Sequence, residues 1–373
     1  MFEALPGSPP DRDEVALRRA AARQDTLTKP RGSLGALERV ALQLAGLQGR
    51  ELPAARPAAA LIFAADHPVV RHGVSAYPAA VTAAMLSNFA GGGAAASVLA
   101  RLHRLPLRVI DVGVDAAPGE PRDDAGAAPG AGATEVARVR RRGDVDLRDG
   151  AGDLLHRDAM TPAMHAAAQR AGADEVDALG PGLRVLVLGE MGIGNTTAAA
   201  AVYAGLLGGD PAQYVGPGTG VHGDALARKQ DVVRGAVARA RREHADLDDP
   251  RRVLQALGGR EISAIFGAMV RAISGRCAVL VDGFIVGAAA LALCRIDPRW
   301  REGMIFAHRS AEPAHLRALQ ALDAAPLLDL DLRLGEASGA LTALPILEAA
   351  CVLHAEMATF AAAGVPGRED MPV

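Results

Sequence analysis

The chain has 373 residues, half of them hydrophobic and 22% charged, with a formal net charge of −3 and a pI near 6.4. That length fits one large domain with a satellite, or two domains; the charge leaves no basic surplus to track a nucleic-acid backbone, and an aromatic content of 3% supplies few platforms for stacking bases, so nucleic acid is not an expected partner. Cys277, Cys294 and Cys351 are odd in number and lack CxxC or Cys/His spacing, which argues against a disulfide framework or a structural zinc and fits a reducing cytoplasm.

Met1 to Arg18 is interrupted by prolines and acids and does not read as a signal peptide, and no uninterrupted apolar run looks long enough to span a bilayer. A helical pattern runs from Asp13 to about Arg23, breaks over Leu27–Gly35, and resumes as an amphipathic helix from Ala36 to Leu47. The break, Lys29-Pro30-Arg31-Gly32-Ser33, is either a helix connection or a place for chemistry. Pro57 to Ala64 reads as a buried strand that ends in Ala65-Asp66-His67-Pro68 and an irregular loop through Ser75 and Tyr77. Asp66 and His67 could be a metal or acid/base pair, although neighbours on a loop need not converge. Val81 to Leu102 follows as one long helix carrying Gly91-Gly92-Gly93, and Leu107 to Val114 as a second strand. Ala116 to Thr134, rich in Gly, Ala, Pro and Asp, is expected to be a mobile loop, and Arg138, Arg140, Arg141 and Arg142 a solvated basic edge.

The most informative stretch is Arg184 to Ala201. Five residues of apolar or β-branched character bounded by Gly189 indicate a strand buried on both faces, and the alanines behind Thr197 indicate a well-packed helix. Between them, Gly189, Gly192 and Gly194 permit a sharp turn close to a ligand, and Asn195 or Thr196 is positioned to cap a helix whose free N–H groups attract an anion such as a phosphate. Glu190 falls at the strand's carboxyl end, where open α/β sheets bind ligands. Asn195-Thr196 stands where a Walker loop needs Lys-Ser/Thr, and a dinucleotide fingerprint lacks its third glycine, so a monophosphate fits better than a nucleoside triphosphate.

Downstream, Val215–Gly220 is a second glycine loop followed by a helix with Arg228 and Lys229, and the two loops with a lysine could cradle a phosphate. Leu257–Ile262 starts another helix, Ala278 to Val281 is a strand ending at Asp282-Gly283, and Ile285 to Cys294 is its helix. This βα alternation implies a mostly parallel sheet covered on both faces. Near the end, Gly335-Glu336-Ala337-Ser338-Gly339 precedes a helix from Ala340 to Ala363; a glutamate there is ordinarily just a favourable partner for the helix dipole.

Taken in order, Lys29–Gly35, Ala65-Asp66-His67, Gly73–Pro78, Gly189–Thr197, Val281–Phe284 and Leu334–Ala340 resemble the nicotinate-nucleotide–dimethylbenzimidazole phosphoribosyltransferases of cobalamin biosynthesis, over roughly residues 25 to 350. The resemblance implies a transferase that moves the 5-phosphoribosyl group from nicotinate mononucleotide to 5,6-dimethylbenzimidazole, as a homodimer without metal or cofactor. It implies Glu336 as general base, Glu190 with Gly192, Gly194, Asn195 and Thr196 at the ribose phosphate, Lys229 and Asp282 in nucleotide binding, and Ser75 beside the base pocket. The expected fold is α/β, a three-layer, mostly parallel doubly wound sheet over residues 56–325, with a smaller helical subdomain from residues 1–55 and 326–373 that carries the catalytic glutamate. Rival readings are the same reaction on another lower-ligand base, or a non-catalytic nucleotide sensor; retention of both Glu190 and Glu336 speaks against the sensor, because a binder of an anion gains nothing from nearby carboxylates.

Overall fold

The computed structural model describes residues 7–115, 133–138, 141–142, 145–148 and 150–366. Its strands are β1 (Ala58–Ala64), β2 (Leu107–Asp111), β3 (Thr134–Arg138), the short hairpin β4 (Arg141–Arg142) and β5 (Val145–Asp146), then β6 (Val185–Met191), β7 (Ala278–Val281) and β8 (Met304–Phe306). Among the described residues, six of these form one sheet in the order β3-β2-β1-β6-β7-β8, with every neighbouring pair parallel. Each residue of β1, β2, β6 and β7 is buried, the signature of a sheet covered on both faces.

The helices are α1 (Glu14–Thr26), α2 (Ala36–Gln48), α3 (Ala80–Ala90), α4 (Ala95–Leu102), α5 (Pro162–Ala178), α6 (Asn195–Leu207), α7 (Gly223–Glu243), α8 (Pro250–Leu257), α9 (Arg260–Ser274), α10 (Phe284–Ile296), α11 (His315–Ala321), α12 (Ser338–Glu356) and α13 (Phe360–Ala363). α9 packs on β1, β6 and β7 and against α5, while α12 packs on β6 and β7 and against α2 and α4. The α5–α9 seam is closed by small residues, since a side chain at Gly172 or Gly267 would strike the backbone of the other helix.

Strand order fixes where a ligand can enter. From β1 the chain winds outward to β2 and β3, and from β6 outward the other way to β7 and β8, so the topological switch lies between β1 and β6. The register Phe63↔Glu190 and Leu188↔Val281 brings the carboxyl ends of these strands level, which aligns Asp66, Glu190 and Asp282 along one rim.

The helix expected over Val81–Leu102 is two helices, because the chain turns at Gly91–Gly93, where Gly92 takes a left-handed φ of +74°. The helix expected to run from Ala340 to Ala363 ends at Glu356; Met357 turns extended, and Thr359 caps a separate turn. Two helical stretches, Ala80–Leu102 and Ser338–Glu356, are long and apolar enough to cross a bilayer by length and composition alone, although neither is an uninterrupted apolar run. The first is interrupted by the glycine turn, and the second is more than half buried as a core helix. The loop expected from residue 116 falls on 116–132, and Arg140 of the basic group on 139–140, outside the described residues; Arg138 ends β3, and Arg141 and Arg142 form β4.

Candidate active site

The strand β6 ends in Gly189-Glu190-Met191 and turns through Gly192–Gly194 into α6. Gly194 has a φ of +95°, a conformation costly for any residue with a Cβ, and it serves as the helix N-cap without a side-chain bond. The capping role expected of Asn195 or Thr196 is therefore not taken. Asn195 is the first helical residue, and its Nδ2 donates to Oε2 of Glu190, which ties the strand end to the helix start. The N–H of Ile193, in the middle of the turn, donates to Thr82 Oγ1 of α3 at 3.1 Å.

The second glycine loop is stitched to the first. Lys229 on α7, only 1% exposed, donates from Nζ to Thr196 Oγ1 (2.9 Å) and to the carbonyl of Gly216 (3.0 Å). Burial pulls its pKa down to about 8 despite the charge of Glu312 nearby. Glu312 in turn accepts the N–H of Gly218 at 2.7 Å, and Arg333 reaches the carbonyl of the same glycine at 3.3 Å.

Facing this double loop is the turn before α12. Gly335, Glu336 and Ala337 hold φ values of +82°, +58° and +60°, three consecutive left-handed residues of which two carry a Cβ. The turn is held on one side by Gly189, whose missing side chain leaves room for the Ala337 backbone, and on the other by Asp282, whose Oδ1 accepts the Ala340 N–H at 2.9 Å. Asp282 Oδ1 also lies 3.5 Å from His308 Nε2; burial opposes charge on that imidazole, yet the bond and charge of Asp282 hold its pKa above the usual value.

Between the two turns lies a cavity of about 350 Å³. Its polar side is formed by Glu190, Asn195, Asp282, His308, Glu312 and Glu336, and its apolar side by Tyr77, Val81, Met85, Phe284, Ile285 and Leu334. Glu336 is 6% exposed, and its Oε2 is buried without a hydrogen-bond partner among the described residues. Burial first, and the charge of Asp282 second, push its pKa up to about 7, which suits a carboxylate that takes up a proton near neutral pH.

The profile of the DBI_PRT phosphoribosyltransferase family matches residues 9–365. The chain belongs to that family. A nicotinate-nucleotide–dimethylbenzimidazole phosphoribosyltransferase of Ectopseudomonas mendocina (strain ymp) is 49% identical over 359 residues, covering 95% of this chain and 96% of that protein. One of Bradyrhizobium sp. (strain BTAi1) is 48% identical over 94% of each chain. Among solved structures, that of CobT from Thermus thermophilus superposes with a TM-score of 0.83 at 42% identity, covering 94% of this chain and 99% of that one. This is a phosphoribosyltransferase with the expected α/β fold.

Of the residues singled out in the sequence of this phosphoribosyltransferase, Glu190, Gly192, Asn195, Thr196, Asp282 and Glu336 border the cavity. Ser75, Gly194 and Lys229 stand one layer back. Ser75 Oγ is 3.1 Å from Oγ1 of Thr219, which borders the cavity itself, and Lys229 acts through Thr196 and Gly216. Asp66 and His67 diverge: Asp66 accepts the Asp115 N–H at 2.7 Å, whereas His67 Nε2 pairs with Glu261 at 2.7 Å beneath the glycine turn. The Lys29 loop does connect α1 to α2, with Lys29 Nζ 2.9 Å from Glu38.

His308, Glu312 and Arg333 border the cavity and were not read as functional. The signal for the first two was an apolar run, Met304–Ala307, ended by polar residues, as at β1 and β6. Among the described residues, two groups of side chains have metal-ligand spacing, both outside the cavity. In His72–Asp153–His156 the carboxylate is already bonded to His72 at 2.7 Å with Arg71 at 3.8 Å, and in Asp158–Glu243–His244 the Arg239 guanidinium bridges both carboxylates.

Glu190 supplies a test of these electrostatics. Burial, then the charges of Asp282, Glu261 and Glu336, raise its pKa well above 4.5, against the opposing bond from Asn195. A carboxyl whose folded pKa exceeds its unfolded one contributes stability that is full below the unfolded value and is lost as pH rises through the folded value. Glu190→Gln keeps the shape and cannot ionise, so its Tm is expected to fall less than that of the unaltered protein between about pH 5 and pH 8. Parallel Tm curves for the two proteins would contradict the raised pKa.

Proposed function

We propose that this enzyme transfers the 5-phosphoribosyl group of nicotinate mononucleotide to 5,6-dimethylbenzimidazole, releasing nicotinate and forming α-ribazole 5′-phosphate. The observation that carries the reading is a buried carboxylate, Glu336, with a pKa of about 7, facing a glycine-lined anion turn across a cavity walled on one side by apolar residues. The names borne by relatives at 48–49% identity specify the donor and the acceptor.

The chemistry accounts for these residue types. Benzimidazole attacks C1′ through one ring nitrogen while the other carries a proton, and a carboxylate at that second nitrogen removes the positive charge as it builds. Glu336 is assigned this role. Nicotinate is a pyridinium while bonded to C1′; its nitrogen takes the electron pair of the C1′–N bond as that bond breaks and the ring leaves as a neutral pyridine, so no strong acid is needed. Attack on the face opposite the leaving ring converts a β-linked nucleotide into an α-linked one and requires both rings to be held in line across the ribose. The 192–196 turn, backed by Lys229, is assigned to the ribose phosphate, Glu190 and Asp282 to the nucleotide, and the Ser75 loop with Tyr77, Val81 and Met85 to the acceptor.

Residues 1–55 and 326–373 are assigned to the smaller helical subdomain, in keeping with the packing of α12 on α2. The working state is assigned as a homodimer in the cytoplasm, without metal or cofactor. Incubation of the protein with nicotinate mononucleotide and dimethylbenzimidazole should release nicotinate, and competition with unsubstituted benzimidazole or a purine should favour the dimethylated base. Failure to release nicotinate with any acceptor ends the proposal.

A base with a pKa of about 7 gives kcat/KM an acid limb that rises with pH and levels off above neutrality. Burial is the larger cause of that pKa and Asp282 the second, so Asp282→Asn, which keeps an oxygen for the Ala340 N–H, should move the limb to lower pH. A limb that stays in place in the Asp282→Asn profile would separate Asp282 from the titration of Glu336.

A further inference from the structure

Thr82 lies on α3, fully buried, one residue from Val81 and three from Met85, the two side chains that α3 gives to the cavity. Its hydroxyl accepts the N–H of Ile193, the central residue of the anion turn, at 3.1 Å. A hydroxyl that accepts one bond still has its own proton to donate. On that side stands Asp66 at the end of β1, whose carboxyl is raised in pKa by burial and drawn back by the Asp115 N–H and by the Thr82 hydroxyl beside it. One side chain thus joins the two halves of the cavity, the helix that walls its apolar half and the turn that forms its anion half.

Behind the turn, a side chain at Gly192 would meet the Ala65 carbonyl at 2.5 Å and one at Gly194 would meet Val70 at 2.7 Å, so the turn packs closely on residues 65–70. The hydrogen bond ties the Ile193 amide to α3, the helix that carries Val81 and Met85.

We infer that Thr82 is a positioning residue that couples the two halves of the cavity, so that filling the anion turn with a ribose phosphate sets the acceptor wall and tightens binding of the aromatic base. This rests on the assignment of donor and acceptor made above. Thr82 touches neither substrate; it acts through Ile193 on one side and through α3 on the other.

The test is the binding of dimethylbenzimidazole to the full chain, followed by the fluorescence of the base, with and without saturating ribose 5-phosphate as an unreactive occupant of the anion half. In the unaltered protein the phosphate should tighten the base about five- to tenfold, the lower range of measured couplings between sites. Thr82→Val and Thr82→Ala should bring that factor to about one while the affinity for the base alone changes less than about threefold, and Thr82→Ser, which restores the hydroxyl, should recover the coupling. A purely structural residue would lower Tm and both affinities together and leave the factor intact. Coupling retained in Thr82→Ala, or a factor of one in a protein that still releases nicotinate from its nucleotide, overturns this inference alone. A protein that neither binds the base nor releases nicotinate overturns the assigned reaction as well. Should the valine variant not fold, the alanine and serine pair decides.

Discussion

Glu336→Gln is expected to lower kcat by roughly two to four orders of magnitude, the span that a positioned general base contributes, while the dissociation constant for nicotinate mononucleotide stays close to that of the unaltered protein. Glutamine is nearly isosteric and can hold the same left-handed backbone, so the turn at 335–337 and its contact with β6 should survive. What it cannot do is accept a proton from the benzimidazolium that forms as C1′ changes partners. The acid limb of the kcat/KM profile with an apparent pKa near 7 should disappear in the variant, because the group that titrates there is gone. The two readouts separate a base from a merely polar contact: loss of a contact would raise KM and leave the limb in place. An undiminished kcat would remove Glu336 from the chemistry.

The residue is effective because of where the fold puts it. Glu190, Asp282 and Glu336 share one rim; Glu190 holds Asn195 and Asp282 holds Ala340, whereas Glu336 keeps a buried oxygen with no partner among the described residues, as does Glu312, whose other oxygen accepts the Gly218 N–H and whose charge faces Lys229. Desolvation without a compensating bond is what moves a carboxyl toward neutrality. Cations or potential cations, Arg333 and His308 at the cavity and Lys229 behind it, stand on the side of the second glycine loop and β8.

Much of this was legible in the sequence where local chemistry and tertiary position agree. β7 was read at its observed limits, and β1 and β6 to within a few residues, because their apolar runs are buried on both faces and stopped by Asp, Glu or Gly. The site residues on those stops were found for the same reason. β8 was missed because three residues carry no periodicity, and with it went His308 and Glu312. Capping was misassigned because a single sequence gives propensity for Asn195 and not the competing claim of Glu190, which takes its amide. Lys229 was read as a point charge at the phosphate; the direction of its side chain, toward Thr196 and Gly216 behind the cavity, depends on how α7 packs. Family resemblance, rather than pattern, singled out Glu336, since a glutamate before a helix is ordinarily a dipole partner.

Gly189→Ala should be a damaging single-methyl change near the site. The position has ordinary strand geometry, so the objection is not its φ but its neighbour: a Cβ there would sit 2.8 Å from the Cα and 2.6 Å from the Cβ of Ala337, inside van der Waals contact. β6 is central in the sheet and buried at every residue, so it cannot yield, and the turn must move instead. Overpacking of this kind costs about 1–3 kcal/mol, and a displacement of about 1 Å at a catalytic group can lower the rate about a hundredfold. The expected result is a lower Tm together with a kcat loss of that order. Gly91→Ala serves as the control: Gly91 is in right-handed helical geometry, and an added Cβ meets nothing closer than 3.4 Å, so its Tm and kcat should match those of the unaltered protein within error. If Gly189→Ala also leaves both values unchanged, the contact between β6 and the 335–337 turn does not set the position of Glu336. If Tm falls and kcat does not, the contact stabilises the fold without aiming the base.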